Sequence, residues 1–166
     1  MTKLLFIVCI VLLPIASSAQ GAFDLMLKGM YKETVPLISA DSAQKVLDNA
    51  QAVFLDTRSS DEYEVSHIAG SQFVDYDSFK VKKLADLPKD SAIIVYCSVG
   101  YRSERIGEKL LKAGFTNVSN LYGGIFEWKN EQQEVVNKAS QPTDSVHAFN
   151  KLWGVWLTEG VKVYDK

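Results

Sequence analysis

The segment Cys97-Ser98-Val99-Gly100-Tyr101-Arg102-Ser103 has the residue types and spacing to hold a reactive sulfur. The thiolate is the nucleophilic form of cysteine, and backbone N–H groups, a helix N-terminus or a nearby cation favour it. The apolar run Ala92-Ile93-Ile94-Val95-Tyr96 before Cys97 reads as a buried strand, and Ser103 to Ala113 reads as a helix. The thiol therefore falls between a strand end and a helix start, where open parallel sheets bind ligands. Amides from Ser98 to Ser103 can converge on the sulfur, Gly100 permits the turn this needs, and Arg102 adds a positive charge at the rim. A free thiol has a pKa of about 8.5, and such surroundings lower it. A lone cysteine is more often inert and buried. The glycine and arginine that follow this strand end reverse that expectation.

The rest of the chain must position that loop. It has 166 residues, 18 basic and 20 acidic, for a formal net charge of −2, with 47% apolar and 23% charged residues. That composition is globular and leaves room for one domain with a small appendage. The weakly acidic balance supplies no basic face for nucleic acid, and no Cys/His cluster has metal-ligand spacing, so a bound metal is not expected. Lys3, the apolar stretch Leu4 to Ile15 and the small residues Ala16-Ser17-Ser18-Ala19 read as a secretory signal peptide cleaved before Gln20. Residues 1–19 are then the signal, 20–34 a lead-in that can hold a short helix, 35–137 the domain, and 138–166 a C-terminal extension packed on it. Cleavage removes Lys3 and Cys9, leaves Cys97 as the single thiol, and predicts an exported protein, periplasmic or secreted, with no stable membrane association.

Within the domain, Val35 to Ile38 reads as an edge strand because Pro36 cannot donate to a ladder. Ser39 caps a helix over Ala40 to Asn49, and Ala52 to Leu55 is a strand buried on both faces. Ser59 and Glu62 form a capping box opening a short helix. Gln72 to Val74 is a short strand, and Asp77 to Leu87 is a helix plus loop. In the helix after Cys97, Ile106, Leu110 and Leu111 face inward and Glu104, Glu108, Lys109 and Lys112 outward, with Gly107 allowing a close approach. Val118 to Tyr122 is a strand and Ile125 to Lys129 a helix. The expected fold is α/β, a mainly parallel five-stranded sheet flanked by helices.

Four segments resemble the rhodanese family of sulfurtransferases, in family order, over roughly Val35 to Lys129. They are Phe54-Leu55-Asp56-Thr57-Arg58, Ser66-His67-Ile68-Ala69-Gly70-Ser71, the Cys97 to Ser103 loop, and Gly123-Gly124-Ile125-Phe126-Glu127-Trp128. Ser66 and Ser71 stand where the family usually has Gly and Ala. The resemblance implies a rhodanese-like fold and a sulfurtransferase in which Cys97 takes sulfur from an anionic donor such as thiosulfate. The resulting persulfide passes it to cyanide or a thiol, with a protein thiol also open as partner and no cofactor. Phosphatase and arsenate reductase relatives carry one residue more between Cys and Arg, so the shorter ring here suits a sulfur atom. A binding or sensing module without turnover is the alternative.

Asp56 and Arg58, at the end of a parallel strand, either flank the pocket or form a structural ion pair. His67 is expected in a structural turn rather than as a base, Tyr101 at the entrance, and Trp128 in the core. Glu131 to Val136 can continue the last helix, and Gln141 to Asp144 is a linker. Phe149, Leu152, Trp153 and Trp156 have helical spacing, which predicts a C-terminal helix packed on the domain's flank. Gly160 to Tyr164 can add a short strand.

Overall fold

The computed structural model describes residues 16–165. The expected signal segment lies outside them up to residue 15. Residues 16–19 are the start of α1, Ala16–Met30, which runs on through the lead-in as a longer helix than its sequence suggested. Its Phe23 and Leu27, with Tyr31 just beyond, recur every fourth residue and are buried.

The sheet joins β1 (Leu37–Ile38), β2 (Val53–Asp56), β3 (Gln72–Phe73), β4 (Ile93–Tyr96) and β5 (Val118–Leu121) in the order β1-β5-β4-β2-β3. Every pairing is parallel, with Leu55 opposite Val95 and Val95 opposite Asn120. Alternation along the strands explains their unbroken apolar character. Phe54, Ile94, Tyr96 and Leu121 face a cluster built from α1, α2 (Ala40–Asp48) and α5 (Gly124–Asn130). Leu55, Ile93, Val95 and Val118 face the other, against Ile106 and Leu110 of α4 (Tyr101–Lys112). At Gly107 an added Cβ would crowd the Val35 side chain at 2.9 Å, so the expected close approach is real. The capping box opens α3 (Ser60–Val65) as expected.

Several expectations need correction. Glu104 does not face solvent: its carboxylate accepts from the backbone N–H groups of Lys32 and Thr34, tying α4 to the chain after α1. Asp77 to Leu87 holds only a 3₁₀ turn at Val81–Leu84. The last domain helix stops at Asn130, and β6 (Val135–Val136) pairs antiparallel with β7 (Pro142–Thr143) in the presumed linker.

The C-terminal extension contains no α-helix among the described residues. It is β8 (Ser145–His147), a 3₁₀ turn at Gly154–Trp156 and the expected terminal strand β9 (Val161–Val163), parallel to β8. Phe149, at φ +63, breaks any helix begun upstream, and the Asn150 side-chain oxygen takes the N–H groups of Leu152 and Trp153. Leu152 is exposed, so the helically spaced aromatics do not form one buried stripe. Val146, Ala148 and Leu157 nonetheless complete the cluster around Phe23 and Trp128. Leu157→Ala should therefore cost about 3 kcal/mol in chemical denaturation, within one cooperative transition. A cost under about 1 kcal/mol would show that the extension is not part of the core.

Candidate active site

β4 delivers Cys97 to the carboxyl edge of the sheet, and α4 starts at Tyr101, two residues earlier than the sequence indicates. The Gly100 amide donates to Cys97 Sγ at 3.1 Å. Gly100 sits at φ +94, and any Cβ there would collide with the Tyr31 hydroxyl, so glycine is required on both counts. That hydroxyl donates to the Val99 carbonyl at 2.7 Å and accepts from Gly123 N–H at 3.0 Å. The remaining loop carbonyls are also held from outside. Ile125 N–H donates to Cys97 O and Phe126 N–H to Ser98 O, at 2.9 and 3.1 Å, while Asn120 Nδ2 donates to Gly100 O at 3.0 Å.

Cys97, Ser98, Val99, Tyr101 and Arg102 line a cavity of about 140 Å³, completed by Met30 from α1 and by Phe149 and Trp153 from the extension. Ser103 is not among them: its hydroxyl turns into the core and donates to Asn120 Oδ1 at 2.7 Å. Tyr101 stands half-exposed at the entrance, as expected, and Trp128 is wholly buried. His67 sits in a bridge to Val136, its ring stacked on Tyr63 at 3.9 Å, so it is a structural turn residue.

Arg102 does not stand as a free cation at the rim. Its guanidinium donates to both Glu62 oxygens, at 2.7 and 2.8 Å, and to Ser98 Oγ, which itself donates to Glu62. Burial alone would raise the Glu62 carboxyl. The Arg102 hydrogen bonds and charge, with the Arg58 charge and the Ser59 N–H, outweigh it and hold the group at about 2. Glu62 announces itself in the sequence only as the third helical residue of a capping box, and its second contact is across the fold.

Asp56 and Arg58 do not flank the cavity. Both are fully buried, Arg58 Nη2 donating to Asp56 at 2.6 Å and to the Ser66 carbonyl at 2.6 Å. The pair ties the end of β2 to the turn after α3, because a strand-end carboxylate inside the protein must be matched by a cation. Of the two readings open in the sequence, the structural ion pair is the one realised.

A family model for the rhodanese-like domain matches residues 39–131. The tRNA uridine(34) hydroxylase of Photorhabdus laumondii is 33% identical over 107 residues, 61% of this chain and 30% of that protein. The chain thus spans under a third of the length of such relatives. The crystal structure of thiosulfate sulfurtransferase from Pseudomonas aeruginosa is similar at a TM-score of 0.58 and 28% identity, covering 74% of this chain and 23% of that one. A rhodanese-related protein from Thermoplasma volcanium, at a TM-score of 0.54 and 27% identity, covers 61% of this chain and 97% of its own. The α1 helix and the extension lie outside the family match.

A depressed carboxyl stabilises the fold above its unfolded value and stops doing so as pH falls through its folded value. The Glu62 contribution should be complete above about pH 4.5 and disappear towards pH 2. Glu62→Gln should cost about 3 kcal/mol at pH 7, with the gap from wild type closing in denaturant melts between pH 5 and pH 2. A gap that does not change with pH would rule out the charged pair as its source.

Proposed function

The chain belongs to the rhodanese-like domain family, and we propose that it is a sulfurtransferase carrying sulfane sulfur as a persulfide on Cys97. The observation behind this is the Gly100 N–H directed at Cys97 Sγ, at the head of α4 and open to a cavity. Amides in that position, with the positive end of the helix, stabilise an anionic sulfur and then an anionic persulfide. With thiosulfate as donor, the Cys97 thiolate attacks the outer sulfur. The donor S–S bond breaks, sulfite leaves with the bonding pair, and Cys97 keeps a terminal sulfur anion. Cyanide or a thiol then attacks that sulfur, and the Cys97 thiolate returns. The steps are ping-pong and call on no metal or organic cofactor.

In this reading Cys97 is the nucleophile and Ser98, Val99 and Gly100 form the ring around it. Tyr101 and Arg102 shape the entrance, and Ser103 acts as a positioning residue through Asn120. The Cys97, Gly100 and Arg102 set favours turnover over a binding or sensing module, which could dispense with any of them. The curated relatives bear names referring to tRNA, but the chain spans 30% of the first of them. Its net charge of −2 offers no cation excess for a phosphate backbone. The proposal therefore keeps to small sulfur compounds and protein thiols.

Thiosulfate:cyanide assay should give thiocyanate with the wild-type chain and none with Cys97→Ser. Intact mass after thiosulfate should show one added sulfur in the former only. Equal rates in the two proteins would end this reading. Export is a separate part of the proposal. Mass spectrometry of the protein from its native host should find Gln20 as the first residue, and a chain retaining Met1 would contradict it.

A further inference from the structure

Part of the wall over Cys97 comes from outside the family match. Met30 ends α1, and Phe149 and Trp153 lie in the extension. Phe149 is held where its side chain would not go unaided. Its backbone has φ +63, a conformation an aromatic residue adopts at a cost, and its N–H donates to His147 Nδ1 at 3.2 Å. The ring lies 5.6 Å from the Arg102 guanidinium carbon, bringing the extension to the rim of the candidate site. Among the described residues, the cation that lines the cavity is Arg102, already matched by Glu62. Drawing Arg102 onto a dianion would take two charge-assisted hydrogen bonds from the Glu62 carboxylate, whose side chain is 3% exposed, and leave it only those from Ser98 and Ser59. Bringing a dianion against these walls without a counter-charge is also costly, since the desolvation energy of an ion rises with the square of its charge.

We propose that Phe149 and Trp153 form an aromatic specificity wall that makes the Cys97 site prefer a monoanionic sulfane-sulfur donor carrying an apolar group, such as an aryl thiosulfonate, over inorganic thiosulfate. This rests on the sulfurtransferase reading above. An apolar cavity of about 150 Å³ accepts a benzene ring, and the space beside Cys97 is about 140 Å³. In the transfer the Cys97 thiolate attacks the terminal sulfur of the thiosulfonate and the S–S bond breaks. The aryl sulfinate leaves with the electron pair and Cys97 becomes the persulfide anion, so one negative charge leaves and one stays.

The test compares benzenethiosulfonate with thiosulfate, cyanide as acceptor, in the full chain and in Phe149→Gly and Trp153→Leu. Glycine at 149 keeps the positive φ without strain. The ratio of kcat/KM for the two donors is taken within each preparation, so loss of folded protein cancels from it, and the difference in intrinsic donor reactivity cancels when variant and wild-type ratios are compared. Wild type should favour the aryl donor by about tenfold or more. Each variant should lose at least about fivefold of that ratio, through a raised KM for the aryl donor. A ratio unchanged in both variants, or no aryl preference in wild type, overturns the specificity wall while a sulfur added to Cys97 leaves the sulfurtransferase reading intact. No sulfur added from either donor overturns both.

Discussion

Four peptide carbonyls turned outward govern the loop that holds Cys97. Those of Cys97, Ser98, Val99 and Gly100 accept from Ile125 N–H, Phe126 N–H, the Tyr31 hydroxyl and Asn120 Nδ2 respectively. A trans peptide sets its N–H opposite its C=O, so pulling these oxygens outward presents the intervening amides to the inside of the turn, and Gly100 N–H reaches the sulfur. The ring around the thiol is thus enforced from Tyr31, just beyond α1, and from β5 and α5 rather than by the loop's own propensities. The approach of α5 depends on Gly124, at φ +58, where a Cβ would press on the Cys97 and Ser98 carbonyls. Little reorganisation is left to perform when a sulfur arrives, which is what makes fixed dipoles effective in stabilising charge.

Electrostatics at the mouth follow from a second constraint. Two arginine–carboxylate pairs do different work. Asp56 with Arg58 is sealed inside the protein, where the match between the charges is a condition of burial. Glu62 with Arg102 sits at the boundary, the guanidinium side chain 21% exposed and the carboxylate almost hidden. Ser98 lies between them and bonds to both. Glu62 therefore fixes Arg102 against the loop and offsets its charge, so that the rim combines a rigid planar group with little net attraction for a dianion.

What could be read from the sequence was whatever depends on neighbours along the chain. The apolar runs before Asp56 and Cys97 became β2 and β4, Ser59 and Glu62 made their capping box, and Cys97 met the head of α4. What could not be read depends on partners far away. Glu104 has the helical position of a solvent-facing residue, and only the chain around Lys32 and Thr34 gives its carboxylate a buried role. Tyr31 sits in an unremarkable lead-in, 68 residues from the carbonyl it fixes. The extension misled through a spacing of large apolar residues, Phe149, Leu152, Trp153 and Trp156, that fits a helix. One residue at positive φ broke that period, and β8 and β9 supplied the backbone pairing a helix would have supplied internally.

The extension lies outside the span that the family model matches and still reaches the Cys97 cavity. Residues 39–131 carry Cys97, its loop, Glu62 and the α5 amides, and Tyr31, from outside that span, completes the hydrogen bonds that hold the loop. Met30, Phe149 and Trp153 lie outside that span and supply the apolar side of the cavity. Val146, Ala148 and Leu157 anchor the extension in the same cluster as Phe23 and Trp128. His147 is buried between the Phe149 amide and Asp165, so the aromatic wall rests on a hydrogen-bonded post rather than on a free loop. Phe149 itself is 46% exposed, so the wall is a surface ring fixed through its backbone rather than a piece of the core. In the proposed reading, the segments wrapped around the Cys97 loop set the substrate preference without a change in the loop itself.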